Sequence, residues 1–194
     1  MFDFLELADG RLAVVLGDVT GHGIDATADM AMAKFVFRSL AREHSEPSAF
    51  LARANDVVSS EISVGKFITM AYLTISPDGE VTCASAGHPE PRIVRADSVS
   101  PLECGGLALG IDAPQEYEQV QTRLEPGDAV VLYTDGVIEA RDGRELFGVE
   151  RLDVVLAANA GRPAHAIANA VLVACRAFAG ELPDDCAIVV LERT

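Results

Sequence analysis

Three short apolar runs in this 194-residue chain end on aspartate or start from it, and they constrain the fold more than any other feature. Residues 12–16 (LAVVL) lead into Gly17-Asp18, residues 129–133 (AVVLY) lead through Thr134 into Asp135-Gly136, and Asp184-Asp185 precede residues 186–191 (CAIVVL). Short runs rich in β-branched side chains and bounded by turn residues predict buried strands rather than helices. Each run therefore predicts a strand with a carboxylate at its end.

Further strands are expected at 67–75 (FITMAYLTI) and 80–86, joined as a hairpin through Pro77-Asp78-Gly79, where proline presets φ and glycine permits the turn. Residues 91–95 and 117–124 also read as strands, and Pro126-Gly127-Asp128 turns the chain into 129–133. Helical spacing places Met30, Ala33, Phe37, Leu40 and Ala41 on one buried face of a helix over 27–41. Pro47 opens a second helix, in which Phe50, Ala54, Val57 and Glu61/Ile62 repeat the spacing, and two more helices are expected at 149–158 and 164–178. Helix pairs lie between groups of strands without regular alternation. That order predicts an α+β fold with two sheets and helices outside. There is no internal repeat, low-complexity tract or linker, and the length suits a single domain over 1–194.

Charge excludes some functions. The formal net charge is −15, and Lys34 and Lys66 are the only lysines. Such a surface repels nucleic-acid phosphates and anionic lipid, so neither is an expected partner. No apolar run approaches the ~20 residues of a membrane span, and the first residues, MFDFLELADG, lack the basic-then-apolar pattern of a signal peptide. A cytoplasmic protein is expected. Cys83, Cys104, Cys175 and Cys186 are widely spaced, form no C-x-x-C pair, and read as scattered reduced cysteines rather than a zinc site.

Aspartates at strand ends, beside glycines that let the backbone turn, suit a hard cation such as Mg²⁺ or Mn²⁺, which takes oxygen ligands and keeps several waters. Clustered carboxylates repel one another unless a cation lies between them. Taken singly, Asp135-Gly136 also reads as a turn, Asp184-Asp185 after Pro183 as a solvated turn, and His22 as a loop hydrogen-bonder. Asp18 is the least ordinary, because GDVTGHG (17–23) crowds special residues into a short loop. Other phosphate chemistries lack their residues. No cysteine has an arginine six positions on, no P-loop surrounds Gly65-Lys66, and Gly-x-Ser-x-Gly is absent. A metal-activated water remains the simple route to hydrolysis.

In order along the chain, FDFLEL (2–7), GDVTGHG (17–23), FITM (67–70), SAGHPEP (85–91), LALG (107–110), YTDGVIEAR (133–141), LFG (146–148) and PDDCAIVVL (183–191) resemble the bacterial branch of the protein phosphatase 2C (PPM) family. That branch is typified by the stage II sporulation protein E and the phosphatases that regulate sigma-B. The resemblance implies a four-layer αββα fold, a two-sheet antiparallel sandwich flanked by antiparallel helix pairs. It implies a site for two Mn²⁺ or Mg²⁺ ions, with Asp18 bridging, the Val19 carbonyl ligating one ion, and Asp135 with Asp184 or Asp185 completing the other. The implied reaction is hydrolysis of a phosphoserine or phosphothreonine protein by metal-activated water, on an anti-anti-sigma (STAS-type) factor. His22 and His88 are the loop residues expected to contact substrate or to move a proton. A homodimer and an upstream sensor domain are further expectations of the resemblance.

The chain departs from the pattern in three places. The family's Gly-Gly-Asp has no counterpart ahead of Phe2-Asp3, so the expectation is either a domain trimmed of its first strand or a second ion held weakly; Asp3 is offset from the missing ligand. Cys186-Ala187 stand where Met-Thr is common, and the phosphate-holding arginine of eukaryotic relatives has no counterpart. Two alternatives stay open. One is a binding module of this family with weak or no turnover. The other is a haloacid-dehalogenase-like hydrolase with Asp18 as nucleophile, although Thr20 stands where that family wants a second aspartate.

Overall fold

The computed structural model describes residues 1–21, 24–63, 65–182 and 186–194, with the backbone alone at 24–27. The chain divides into two compact units, Met1–Glu90 with Glu103–Arg123, and Pro91–Leu102 with Leu124–Thr194.

The first unit begins with β1 (Phe2–Glu6), β2 (Leu12–Val19), α1 (Ile24–Leu40), α2 (Pro47–Glu61), β3 (Ile68–Ile75) and β4 (Glu80–Ala86). Next come β5 (Arg92–Val94) and β6 (Val99–Pro101) of the second unit, then β7 (Val120–Arg123) of the first. The first sheet has the order β1-β2-β3-β4-β7, antiparallel throughout. The predicted hairpin joins β3 to β4 in the register Ile75↔Val81, and Gly79 takes φ +89° while its N–H donates to the Ser76 carbonyl at 2.9 Å. Val14, Val15 and Leu16 of β2 are all fully buried, as a run apolar on both faces requires.

Helices α1 and α2 pack on this sheet around three rings. Phe50 stacks on Tyr72 at 4.1 Å between centroids, and Phe37 meets both edge-on at 6.0 and 5.8 Å. Each such pair adds roughly 0.5–1.5 kcal/mol beyond its area burial. The expected face of α1 is buried at Ala33, Phe37 and Ala41, but Met30 is exposed. In α2 the buried positions are Pro47, Phe50, Leu51, Ala54, Asn55 and Val58 rather than Val57, which is only half-buried. The buried face is shifted by about one residue and includes Asn55. The Asn55 amide accepts from the Gly110 N–H at 2.9 Å and donates to the Asp112 carbonyl at 2.8 Å.

The second unit continues with β8 (Ala129–Tyr133), α3 (Asp135–Ile138), the short hairpin β9 (Arg141–Asp142) and β10 (Glu145–Leu146), α4 (Gly148–Ala157), α5 (Ala164–Ala179) and β11 (Ile188–Glu192). Its main sheet has the order β11-β8-β5-β6, again antiparallel. Strand β8 is buried at every residue. Helix α5 presents Ile167, Val171 and Cys175 at steps of four, and Leu152 and Leu156 of α4 join them in the core. Gly180, at φ +81°, ends α5 with its N–H on the Arg176 carbonyl at 2.9 Å.

Several elements depart from expectation. Strand β2 runs through Gly17 and Asp18 to Val19, so the loop expected from Gly17 begins later. Residues 117–119 lie outside β7, and Tyr117 instead donates its hydroxyl to the Leu107 carbonyl at 2.9 Å. Strand β1, with alternating exposed and buried residues, pairs with β2 from Phe2↔Leu16 to Glu6↔Leu12. No helix among the described residues is long and apolar enough to cross a membrane.

Candidate functional site

In the first unit Asp18 is the penultimate residue of β2, half-buried and in register with Thr69 of β3. Gly17 permits this approach, since a Cβ there would lie 2.7 Å from the Thr69 carbonyl oxygen. Two residues on, Thr20 closes the strand end. Its N–H and hydroxyl both donate to the Phe67 carbonyl, at 3.1 and 3.0 Å, and its hydroxyl accepts the Phe67 N–H at 2.9 Å. Beside it the Lys66 side chain passes over Gly21, and its Nζ pairs with Asp29 of α1 at 2.7 Å.

Thr69 also carries His88. The Thr69 hydroxyl lies 3.0 Å from His88 Nδ1. The His88 backbone is held by Ser85, whose hydroxyl donates to the His88 carbonyl at 3.1 Å and accepts its N–H at 3.2 Å. His88 is 6% exposed. It is thus a buried, hydrogen-bonded residue one contact from the strand position facing Asp18. Asp3 lies elsewhere: it is buried on β1 and gripped by Arg38 of α1 at 2.7 and 2.8 Å, with Lys34 at 3.8 Å. Burial by itself pushes the Asp3 carboxyl up, but the Arg38 fork, the Phe4 N–H and Lys34 outweigh it and hold it below the ordinary range. That commitment makes Asp3 a structural anion.

In the second unit Asp135 is the first residue of α3, directly after β8 and Thr134, and is exposed. Thr134 repeats the bonding of Thr20. Its N–H and hydroxyl donate to the Ala187 carbonyl at 3.0 and 3.4 Å, and its hydroxyl accepts the Ala187 N–H at 2.8 Å. This clasp ties the start of α3 to the approach to β11. The Asp135 side chain has no hydrogen-bond or ion-pair partner among the described residues.

His22, Asp184 and Asp185 lie outside the described residues. Asp18 with Thr69 and His88 belongs to one unit and Asp135 to the other. Among the described residues no three His, Cys, Asp or Glu side chains gather as a metal-holding group. The donors themselves fit a hard divalent ion: they are carboxylates at strand ends and the Val19 carbonyl, with no sulfur in the set. A hollow of about 490 Å³ lined by Glu6, Leu7, Ala8, Asp9, Arg42 and Ser45 lies where Glu6 pairs with Leu12, at the other end of β2 from Asp18, and takes no part in this site.

Thr20, Thr69 and Thr134 are the site residues that sequence reasoning missed. Each lies within or beside a segment already singled out, but a hydroxyl that closes a strand end looks like any other threonine until its partner strand is known.

Comparison with known proteins gives one family description, Stage II sporulation protein E (SpoIIE), over residues 8–194. The chain is 39% identical over 132 residues to phosphoserine phosphatase RsbU of Bacillus subtilis, a match over 66% of this chain and 39% of that protein. The chain thus spans about two fifths of that relative's length. It superposes on the structure of the RsbU and RsbW domains of Rv1364c from Mycobacterium tuberculosis with TM-score 0.87 and 30% identity, covering 100% of this chain and 56% of that one. The structure of RsbX in complex with magnesium matches with TM-score 0.70 and 16% identity over 98% of this chain and 84% of that one, a likeness of fold.

Proposed function

The chain belongs to the stage II sporulation protein E family, with its protein phosphatase 2C-like fold, and from that premise we propose that it is a metal-dependent protein serine/threonine phosphatase. The observation that carries this reading is the pair of strand-end aspartates, Asp18 and Asp135, each beside a threonine clasp in a chain that matches the family over residues 8–194.

Asp18, the Val19 carbonyl and Asp135 would hold Mn²⁺ or Mg²⁺, with Asp184 or Asp185 completing the set. When bound, such an ion acidifies water and neutralises charge on phosphoryl oxygens. The protein's own residues supply position. Thr20 and Thr134 fix where the chain leaves each sheet, and the rigid strand behind each carboxylate limits its movement. His88, bonded to Thr69 beside the register position of Asp18, stays the residue proposed to contact substrate or move a proton. Water adds to phosphorus and the serine or threonine oxygen leaves, with no covalent enzyme intermediate. The proposed substrate is a phosphorylated anti-anti-sigma factor of the STAS type, as the motif resemblance implies; the likeness to phosphoserine phosphatase RsbU supports the phosphoserine.

The test is calorimetric Mn²⁺ titration of the chain and of Asp18→Asn and Asp135→Asn, with phosphate release from a phosphoserine protein followed in parallel. The expected result is Mn²⁺-dependent release and loss of both binding and release in each variant. A chain that neither binds Mn²⁺ nor releases phosphate would sink the proposal.

A further inference from the structure

Cys83 and Cys104, twenty-one positions apart in sequence, lie with their sulfurs 3.4 Å apart in the first unit. Cys83 is on β4 and fully buried, whereas Cys104 is 4% exposed and lies in the irregular segment before Leu109, between exposed Glu103 and Gly105. One thiol is thus inside and the other directly beneath the surface. The segment is also held in place beyond the sulfurs. A Cβ on Gly106 would meet the Ser85 carbonyl oxygen at 2.7 Å, Tyr117 bonds the Leu107 carbonyl, and Leu109 exchanges hydrogen bonds with Ile68 at 3.0 and 2.9 Å.

We propose that Cys83 and Cys104 form an oxidation site, a dithiol that hydrogen peroxide converts to a disulfide. A disulfide needs about 2.0 Å between sulfurs, so the pair must close by about 1.4 Å. The two thiols have distinct roles. The hydrogen bond from Cys83 favours the Cys104 thiolate and draws its pKa down, and the same bond, with burial, holds the Cys83 proton and pushes that thiol well up. Cys104, the outer sulfur, attacks one peroxide oxygen. The O–O bond breaks, hydroxide leaves and takes up the proton that Cys104 released, giving the first water, and the sulfur is oxidised by two electrons to a sulfenic acid. Cys83 then attacks that sulfur, the S–O bond breaks, and the departing hydroxide takes the Cys83 proton as water. Two thiols and one peroxide thereby give one disulfide and two waters. Cys175 lacks these features: burial pushes its thiol up to about 12, and it donates to the Val137 carbonyl at 3.7 Å.

The product would link β4 to the segment that abuts Ser85, which holds the His88 backbone. The test is hydrogen peroxide treatment of the full chain, followed by alkylation and non-reducing peptide mapping. The expected result is a linked Cys83–Cys104 peptide lighter by two hydrogens and reversed by dithiothreitol. In Cys104→Ser, Cys83 should stay alkylatable, and in Cys83→Ala, Cys104 should proceed to the sulfinic acid. If peroxide leaves both thiols free while Cys186 oxidises, or takes Cys104 to sulfinic acid in the unsubstituted chain without a linked peptide, the proposal is overturned. The mapping of the unsubstituted chain decides the matter even where a variant fails to fold.

Discussion

Thr20 and Thr134 make the same three hydrogen bonds, one in each unit, yet the aspartates beside them are presented differently. Asp18 is a strand residue, half-buried and two positions before its threonine; Asp135 begins a helix, is exposed, and follows its threonine directly. The clasp secures the point where the chain leaves a buried strand and leaves the carboxylate's own conformation open. The units differ again in a second shared device, a carboxylate paired with arginine. Asp3 meets Arg38 through two short bonds and is held below the ordinary carboxylate range although burial opposes it. Asp153 of α4 meets Arg92 of β5 at 3.0 Å, yet burial keeps its carboxyl above that range against the pull of the arginine. The charged partners outweigh desolvation at Asp3, whereas at Asp153 desolvation prevails, with nearby Glu150 adding to it.

The largest effect expected is on turnover. Asp18→Asn and Asp135→Asn should each lower phosphate release by about a thousandfold or more, the rate equivalent of several kcal/mol of lost charge stabilisation. Steady-state assays at one fixed Mn²⁺ concentration that supports the unsubstituted chain test this, and a mild effect at one position would break the equivalence of the two aspartates.

Core substitutions come next. Phe37→Ala should cost about 3–5 kcal/mol, because it removes a ring in contact with two others, whereas Ile167→Ala in the second unit should cost about 2–4 kcal/mol. Urea unfolding monitored by circular dichroism checks the order.

The clasps are compared through Thr20→Val and Thr134→Val, which keep shape and delete the hydroxyl. Each leaves a backbone N–H without its acceptor, at Phe67 or Ala187, and should cost about 1–3 kcal/mol. Equal losses would make the two clasps equivalent in energy as well as geometry; a silent Thr134→Val would confine the device to the first unit.

The pH dependence separates the two acid–arginine pairs by sign. Asp3 has a depressed folded-state pKa, so its contribution is present above the unfolded value and is lost as pH falls through the folded one. Asp153 has a raised folded-state pKa, so the folded chain binds the extra proton, and its contribution is greatest at low pH and declines as pH rises through that value. The Tm difference between the unsubstituted chain and Asp3→Asn should therefore widen with rising pH through the carboxylate range. The difference from Asp153→Asn should shift in the opposite direction.

The smallest effect is expected at Phe35, 74% exposed on α1, where Phe35→Ser should change stability by no more than about 0.5 kcal/mol in the same unfolding assay.

Much of this fold was legible before any coordinates. The β3–β4 hairpin was marked by Pro77-Asp78-Gly79, α2 by Pro47, and β8 by an unbroken apolar run, because each signal is local in the chain. Other features were not. The pattern of α1 placed Met30 with Phe37, but which positions of a helix stripe are covered depends on what packs there. Strand β1 alternates weakly and is a strand through its pairing with β2, and α3 is too short to show a period.

By itself the sequence determined the class of structure and the chemistry available to it. Apolar runs of strand length, helix-period stripes and turn residues act over a few positions, so composition and spacing carry them, and the motif order carried the family. Only the tertiary structure decided which side chains meet. Thr20 with Phe67, Thr134 with Ala187, His88 with Thr69 and Cys83 with Cys104 are separated by 47, 53, 19 and 21 positions, and the packing of strands and loops brings each pair into contact. Hydrogen bonds and sulfur contacts act over about 3–4 Å, a distance set by how strands and loops pack and not by spacing along the chain.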